Sequence, residues 1–195
     1  MQATAKCLVA ETGAKLGYTQ SDEITLVWTF DSPKEQMWFD GKVFKIIAGL
    51  AASATSYFGE EGDLRLKDKM YRLPTFDARV WNVPNEEEAA NAVFWRELDA
   101  VKNSVSMTAS AYFSPSELLG RSSKERREML RAKGVIWEDL PAQYKKGTYV
   151  LHRRAAVPFS PEEIRALPPR HHARTNPSLL VERRILEVDA DLPPL

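Results

Sequence analysis

Ser21-Asp22-Glu23 carries the sharpest chemical signal in this chain. Two adjacent carboxylates follow a small hydroxyl residue and sit directly before an alternating stretch, Ile24-Thr25-Leu26-Val27-Trp28. That places them at the tip of a hairpin. Carboxylate oxygens are hard ligands of the kind Mg²⁺ takes. Phosphoryl transfer needs such a centre, because it is mostly positioning plus neutralisation of phosphate charge. Neighbouring strand residues point to opposite faces, so both acids lie over one spot only if the turn twists them. One would then bind metal and the other support it. A solvated Asp-Glu turn has the same sequence, and the residues alone leave that alternative open.

Elements must position this tip. Ala5 to Leu16 has helical spacing, with Gly17 as a stop. The hairpin follows. Asp31 to Gly41 is loop-like, with Ser32-Pro33 as a turn signal. Lys42 to Phe58 predicts an apolar helix, and Gly59 to Leu73 a charged loop. Phe76 to Val83 alternates as a strand ended by Pro84, in which Asp77 and Arg79 face the same way and can pair. Asn85 with Glu88 is a capping-box-like start for a long helix to about Tyr112. Phe94, Leu98, Val101, Val105, Thr108 and Tyr112 form its expected packing face, with Arg96, Asp99 and Asn103 on a separate polar face. Ser114-Pro115 opens a short helix, and Ser123 to Lys133 a basic one stopped by Gly134. Lys146 to Arg153 predicts a strand. After Val157, with prolines at 158, 161, 168, 169 and 177, irregular structure is expected apart from a helix from Pro161 to Leu167.

The order is helix, hairpin, helix, strand, then helices. One more strand ahead of the first helix would complete β-α-β-β-α-β, the ferredoxin-like split arrangement. The expected fold is α+β: a polymerase-palm, ferredoxin-like antiparallel sheet with helices on one face and a helical C-terminal extension. The expected units are 1–113, palm-like, and 114–195, helical and irregular.

Several motifs, in order and at matching spacing, resemble the tRNA(His) guanylyltransferase family. They are Tyr18-Thr19-Gln20-Ser21-Asp22-Glu23; Lys45 with Ala51, Ala52, Ser53 and Tyr57; Phe76-Asp77-Ala78-Arg79-Val80 with Pro84; and Trp95-Arg96 with Asp99 and Asn103. Gly120, Lys124, Glu128, Met129 and Leu130, then Lys146-Gly147-Thr148, match later segments of the same family. The resemblance covers most of the chain. It implies 3′–5′ addition of guanylate to the 5′ end of tRNA, which is first activated with a nucleoside triphosphate. Mg²⁺, as two ions, is the implied cofactor, with GTP and ATP as substrates. By residue matching, Asp22 holds Mg²⁺, Glu23 supports the metal site, and Ser21 contacts the nucleotide together with Asp22. Lys45 touches a triphosphate as a point charge, or else is a helix lysine snorkelling from an apolar face. Arg96, Asp99 and Asn103 face RNA, or else form a structural polar network. The resemblance also implies a homo-oligomer, dimer or tetramer.

The match departs from the family in two places. The family's R-x-D-G-x-x-F segment, with its first metal carboxylate, has no counterpart among these residues, so a first strand is expected to be missing. Val101 and Ser104 stand where relatives carry His and a second Asn, which fits broader tRNA 5′-end repair as well as strict tRNA(His) addition. Two alternatives therefore stand: a non-catalytic truncated palm that binds tRNA or nucleotide, and, less favoured, a cyclase on the same sheet.

Bulk properties bound the rest. With 195 residues, 44% hydrophobic and 28% charged, the composition is that of a globular domain. The 27 basic residues balance 27 acidic ones, which argues against coating nucleic acid by bulk charge. No apolar run approaches the ~20 residues of a membrane span, and no secretory signal pattern opens the chain. Cys7 is the single cysteine, so no intrachain disulfide exists; the expected location is cytoplasmic. His171-His172 lacks further spaced ligands for a metal. Gly59 and Gly62 lack the Gly-Lys-Ser/Thr of a phosphate loop.

Overall fold

A computed structural model describes residues 1–30, 35–66, 72, 74–176 and 178–190. Ser32-Pro33, Leu73 and Pro177 lie outside the described residues. Helix α1 (Gln2–Thr12) buries Ala5, Leu8, Val9 and Thr12. It ends at Gly13, whose left-handed φ of 69° lets its N–H reach the Val9 carbonyl. Strands β1 (Leu16–Gln20) and β2 (Glu23–Val27) follow, with Leu16 opposite Val27 and Gln20 opposite Glu23. Helix α2 (Val43–Leu66) runs through Gly59 and Gly62, where a loop was expected. Its apolar stripe and good helix formers around each glycine outweigh the ~1 kcal/mol a helical glycine costs.

Helix α3 (Glu86–Ser110) begins where Asn85 accepts a hydrogen bond from the Glu88 N–H. Short helices α4 (Pro115–Leu118), α5 (Ser123–Ala132) and α6 (Ala142–Lys146) lead to strand β3 (Thr148–Pro158). Helices α7 (Pro161–Ala166) and α8 (His172–Thr175) then precede strand β4 (Leu180–Asp189). The antiparallel sheet has the order β2-β1-β3-β4.

Pairing register sorts side chains between the two faces. Tyr18 lies opposite Tyr149 and packs with Leu16, Val27, Ala89 and Val93, so α3 covers that face. Gly17 lies opposite Val150 on the other face, where Val150 packs with Ala5 and Val9 of α1. A Cβ on Gly17 would stand 2.6 Å from Val9 Cγ2, so the bare glycine sets how closely α1 sits. Helix α2 packs on α1. The expectation of helices on one face therefore holds for α1 and not for α3. A second core joins α3 to α5 through Val105, Ala109, Leu118, Leu130 and Trp137.

Three further expectations differ. Segment 76–83 forms no ladder among the described residues. Phe76 instead donates its N–H to Thr55 Oγ1 at 3.1 Å and sets its ring against Phe58, which holds the segment to α2. Asp77 and Arg79 do pair, at 3.3 Å, on the surface. Helix α3 buries Ala89, Val93, Ala100, Ser104, Val105 and Ala109, leaving Phe94, Leu98 and Tyr112 exposed. Small residues let the helix approach the Tyr18 and Tyr149 rings; the large ones do not fit there. Finally, β4 occupies a stretch expected to be irregular, and together with β3 it places half the strands of the sheet beyond residue 113. Among the described residues, no helix is long and apolar enough to cross a membrane.

Candidate active site

Two residues, Ser21 and Asp22, connect β1 to β2, and Ser21 has a positive φ of 48°. That conformation is uncommon for a residue with a Cβ and is used in tight hairpin turns. Because Asp22 lies in the turn and not in the strand, strict alternation does not bind it. Glu23 begins β2 opposite Gln20, on the sheet face covered by α3. Both carboxylates thereby line one cleft of ≈ 270 Å³ between the hairpin tip and α3. Arg96, Asp99 and Asn103, three and four residues apart on α3, form the opposite wall.

The wall and the tip are joined by hydrogen bonds. Glu23 Oε2 accepts from Gln20 Nε2 at 2.9 Å and from Arg96 Nη2. Arg96 Nη1 stands 3.7 Å from Asp99 Oδ2, which also accepts from Asn103 Nδ2 at 3.1 Å. Asp22 is exposed, and among the described residues no hydrogen bond or ion pair engages its carboxylate. Behind the cleft, Tyr149 donates to Glu97 Oε2 at 2.5 Å, and Tyr18 donates to the Lys146 carbonyl at 2.6 Å. Burial raises both phenols well above their ordinary range, and the Glu97 carboxylate raises them further. They remain protonated donors that brace β1, β3 and α3 under the site.

Lys45 lies elsewhere. It is exposed in the first turn of α2, whereas Phe58, Glu61 and Arg65 of that helix approach the hairpin tip. Sixteen residues of helix separate Lys45 from Glu61, about 24 Å along the axis. The expected triphosphate contact of Lys45 is thus apart from this cleft. Sequence reasoning also passed over three contributors. Gln20 was legible inside the hairpin motif. Ser106 continues the polar stripe three residues after Asn103 and lines the cleft. Arg126 donates to Ser106 Oγ at 2.7 Å across twenty residues, a contact no local pattern announces. His171 serves a structural role: its Nδ1 accepts from the Ala173 N–H at the start of α8. Burial lowers the pKa of the His152 imidazole in β3.

The donor set suits a shared ion better than a protein cage. Among the described residues, no group of three or more His, Cys, Asp or Glu side chains is placed to hold a metal. Mg²⁺ is commonly held by one or two carboxylates, with substrate phosphates and water completing the shell. Asp22, with Glu23 beside it, fits that pattern.

Comparison with known proteins identifies the scaffold. The family profile for tRNAHis guanylyltransferase matches residues 1–84. A bacterial tRNA(His) guanylyltransferase-like protein solved in complex with GTP is 30% identical, with a TM-score of 0.67, over 97% of this chain and 68% of that one. The chain belongs to the tRNA(His) guanylyltransferase family. A bacterial guanylyltransferase-like protein in complex with ATP is 38% identical, with a TM-score of 0.72, over 77% of this chain and 66% of that one. A probable tRNA(His) guanylyltransferase of Drosophila melanogaster is 26% identical over 73% of this chain and 52% of its own length. The chain thus spans about half the length of the curated relatives it matches. The family match confirms the palm-like α+β fold expected from the hairpin and helix motifs.

Proposed function

We propose that this chain is a nucleotidyltransferase that adds guanylate, in the 3′–5′ direction, to the 5′ end of tRNA. The observation that carries this reading is the single cleft in which the Ser21-Asp22-Glu23 tip faces Arg96, Asp99 and Asn103. Solved relatives holding ATP and GTP support nucleoside triphosphates as its ligands. Bound Mg²⁺ would neutralise phosphate charge as the nucleotidyl group transfers.

The chain's own residues supply position. Asp22 offers the unengaged carboxylate, and Glu23, oriented by Gln20 and Arg96, supports it from the next position. Ser21 holds the turn that aims Asp22 into the cleft and lies beside the nucleotide. Asn103 and Arg96 present donors to RNA phosphates or base edges.

Incubation with labelled GTP, ATP and 5′-processed tRNA tests the proposal. Label should enter tRNA, fall by more than about 100-fold with Asp22→Asn, and fall about 10–100-fold with Glu23→Gln. Incorporation that survives Asp22→Asn overturns the assignment. A second reading is a non-catalytic palm that binds tRNA or nucleotide, favoured by the lack of a match to the family's R-x-D-G-x-x-F segment among these residues. Binding without incorporation would establish it.

A further inference from the structure

We propose that Arg96 couples RNA binding to metal binding, because its single guanidinium serves either the Glu23 carboxylate or an RNA phosphate. The inference rests on the reading of the cleft given above. The lining residues Asp22, Glu23 and Asp99 contribute three negative charges, and Arg96 is their one lining cation among the described residues. An RNA 5′ end entering this cleft meets net negative charge. Arg96 is the donor placed to receive it, and a guanidinium matches phosphate geometry through paired N–H bonds.

In the structure that guanidinium is already committed. It bonds Glu23 through Nη2 and leans toward Asp99 through Nη1 at 3.7 Å. While the bond to Glu23 holds, a positive charge stands beside the position where Asp22 and Glu23 would hold a cation. When a phosphate draws Arg96 away, Glu23 regains its full negative charge and the site attracts a divalent ion more strongly. The linkage is reciprocal: metal at Asp22 and Glu23 loosens Arg96 and frees it for RNA. Side-chain exposures of 36% for Arg96 and 51% for Glu23 make this a solvent-screened pair. Its strength bounds the coupling to about fivefold and makes about threefold the expected size. Sequence distance conceals the device, since 73 residues separate the partners.

The test follows Mn²⁺, buffered at known free concentrations, through its paramagnetic broadening of the Asp22 and Glu23 amide resonances. Ions bound to RNA far from the cleft do not contribute to this readout. Titrations of the wild-type chain and of Arg96→Gln are run with and without an unmodified tRNA transcript. In the wild type, tRNA should lower the Mn²⁺ midpoint about threefold. Arg96→Gln should show a midpoint already lowered about threefold without RNA, and tRNA should shift it no further. Unperturbed amide positions away from the cleft confirm that the variant is folded. An equal tRNA-induced shift in both proteins overturns the coupling while leaving the metal site standing; so does an Arg96→Gln midpoint equal to the wild type. If broadening never centres on Asp22, the metal reading fails, and the coupling falls with it.

Discussion

Asp22 and Glu23 are adjacent in sequence and share one cleft, yet they keep different company. Glu23 is held by Gln20 and Arg96, while Asp22 faces solvent. The triplet was legible because its chemistry is contiguous: three residues in a row carry the signal. Arg96 was legible as a polar position, but its partner was not, since the contact joins a helix to a hairpin tip through tertiary packing. Gly147 shows the same limit. It reads as a strand lead-in, and the structure adds why it is glycine. Its φ is +85°, and a Cβ there would stand 2.6 Å from Tyr18 Oη and 2.7 Å from the Thr19 carbonyl. Gly134 has a similar φ of +78° with nothing within 4 Å. Gly134→Ala should therefore cost only the left-handed strain, about 1 kcal/mol. Gly147→Ala should cost about 3 kcal/mol and displace the Tyr18 hydroxyl that caps Lys146. Thermal unfolding of the two variants measures the difference, and equal losses would show that the Tyr18 contact carries no cost.

At the scale of elements, capped and periodic stretches were readable and unpartnered ones were not. Helix α3 announced itself through Asn85 and its period, but the face it buries is decided by which residues are small enough to meet two tyrosine rings. Segment 76–83 has a strand's alternation and, among the described residues, lacks a strand's neighbour, because propensity sets extension while only a partner makes a ladder. Strand β4 was hidden by the prolines before it and by Glu182-Arg183-Arg184 within it. The ribbon it forms with β3 runs past β1, which pairs only as far as Leu151. On that ribbon Arg154 lies directly opposite Arg184, a like-charge pair that disfavours pairing. Arg154→Glu should convert it to an attraction and raise stability by up to about 1 kcal/mol, seen as slower amide exchange in 180–186. Helix α7 is fastened to the same ribbon by Glu163, which bonds Arg183 and the Ser160 N–H. Chiefly through the Arg183 bond, the Glu163 carboxyl is lowered to about 2. A depressed folded pKa stabilises above the unfolded value of 4.5, and that contribution fades as pH falls from 4.5 toward 2. Protection of the α7 amides, taken relative to their intrinsic exchange rates, should thus fall as pH drops across this window in the wild type and stay level in Glu163→Gln.

The molecule as a whole stacks α3 with α4 to α6, then the sheet, then α1, then α2, and this layering leaves an apolar stripe of α3 exposed. Phe94, Trp95 and Leu98 are 44%, 70% and 44% exposed in the middle of the 25-residue helix α3. At 100° per residue Phe94 and Leu98 point away from the side that carries Arg96, Asp99 and Asn103, while Trp95 lies one turn before Asp99 at the border between the two faces. The Phe94 and Leu98 edge can therefore be buried against another chain without closing the cleft. Exposed apolar patches of this kind mark interaction surfaces, and the resemblance to tRNA(His) guanylyltransferases already implied a dimer or tetramer. Two copies meeting along α3 would bury both stripes at once, the self-complementary contact of a two-fold dimer. Light scattering of the purified chain should give a mass at least twice 22.1 kDa. Phe94→Glu with Leu98→Glu should return it to the mass of one chain while leaving the Tyr18 and Tyr149 core folded. A wild-type chain that stays monomeric at micromolar concentration refutes assembly, and an oligomer that survives the double substitution places the contact on another surface.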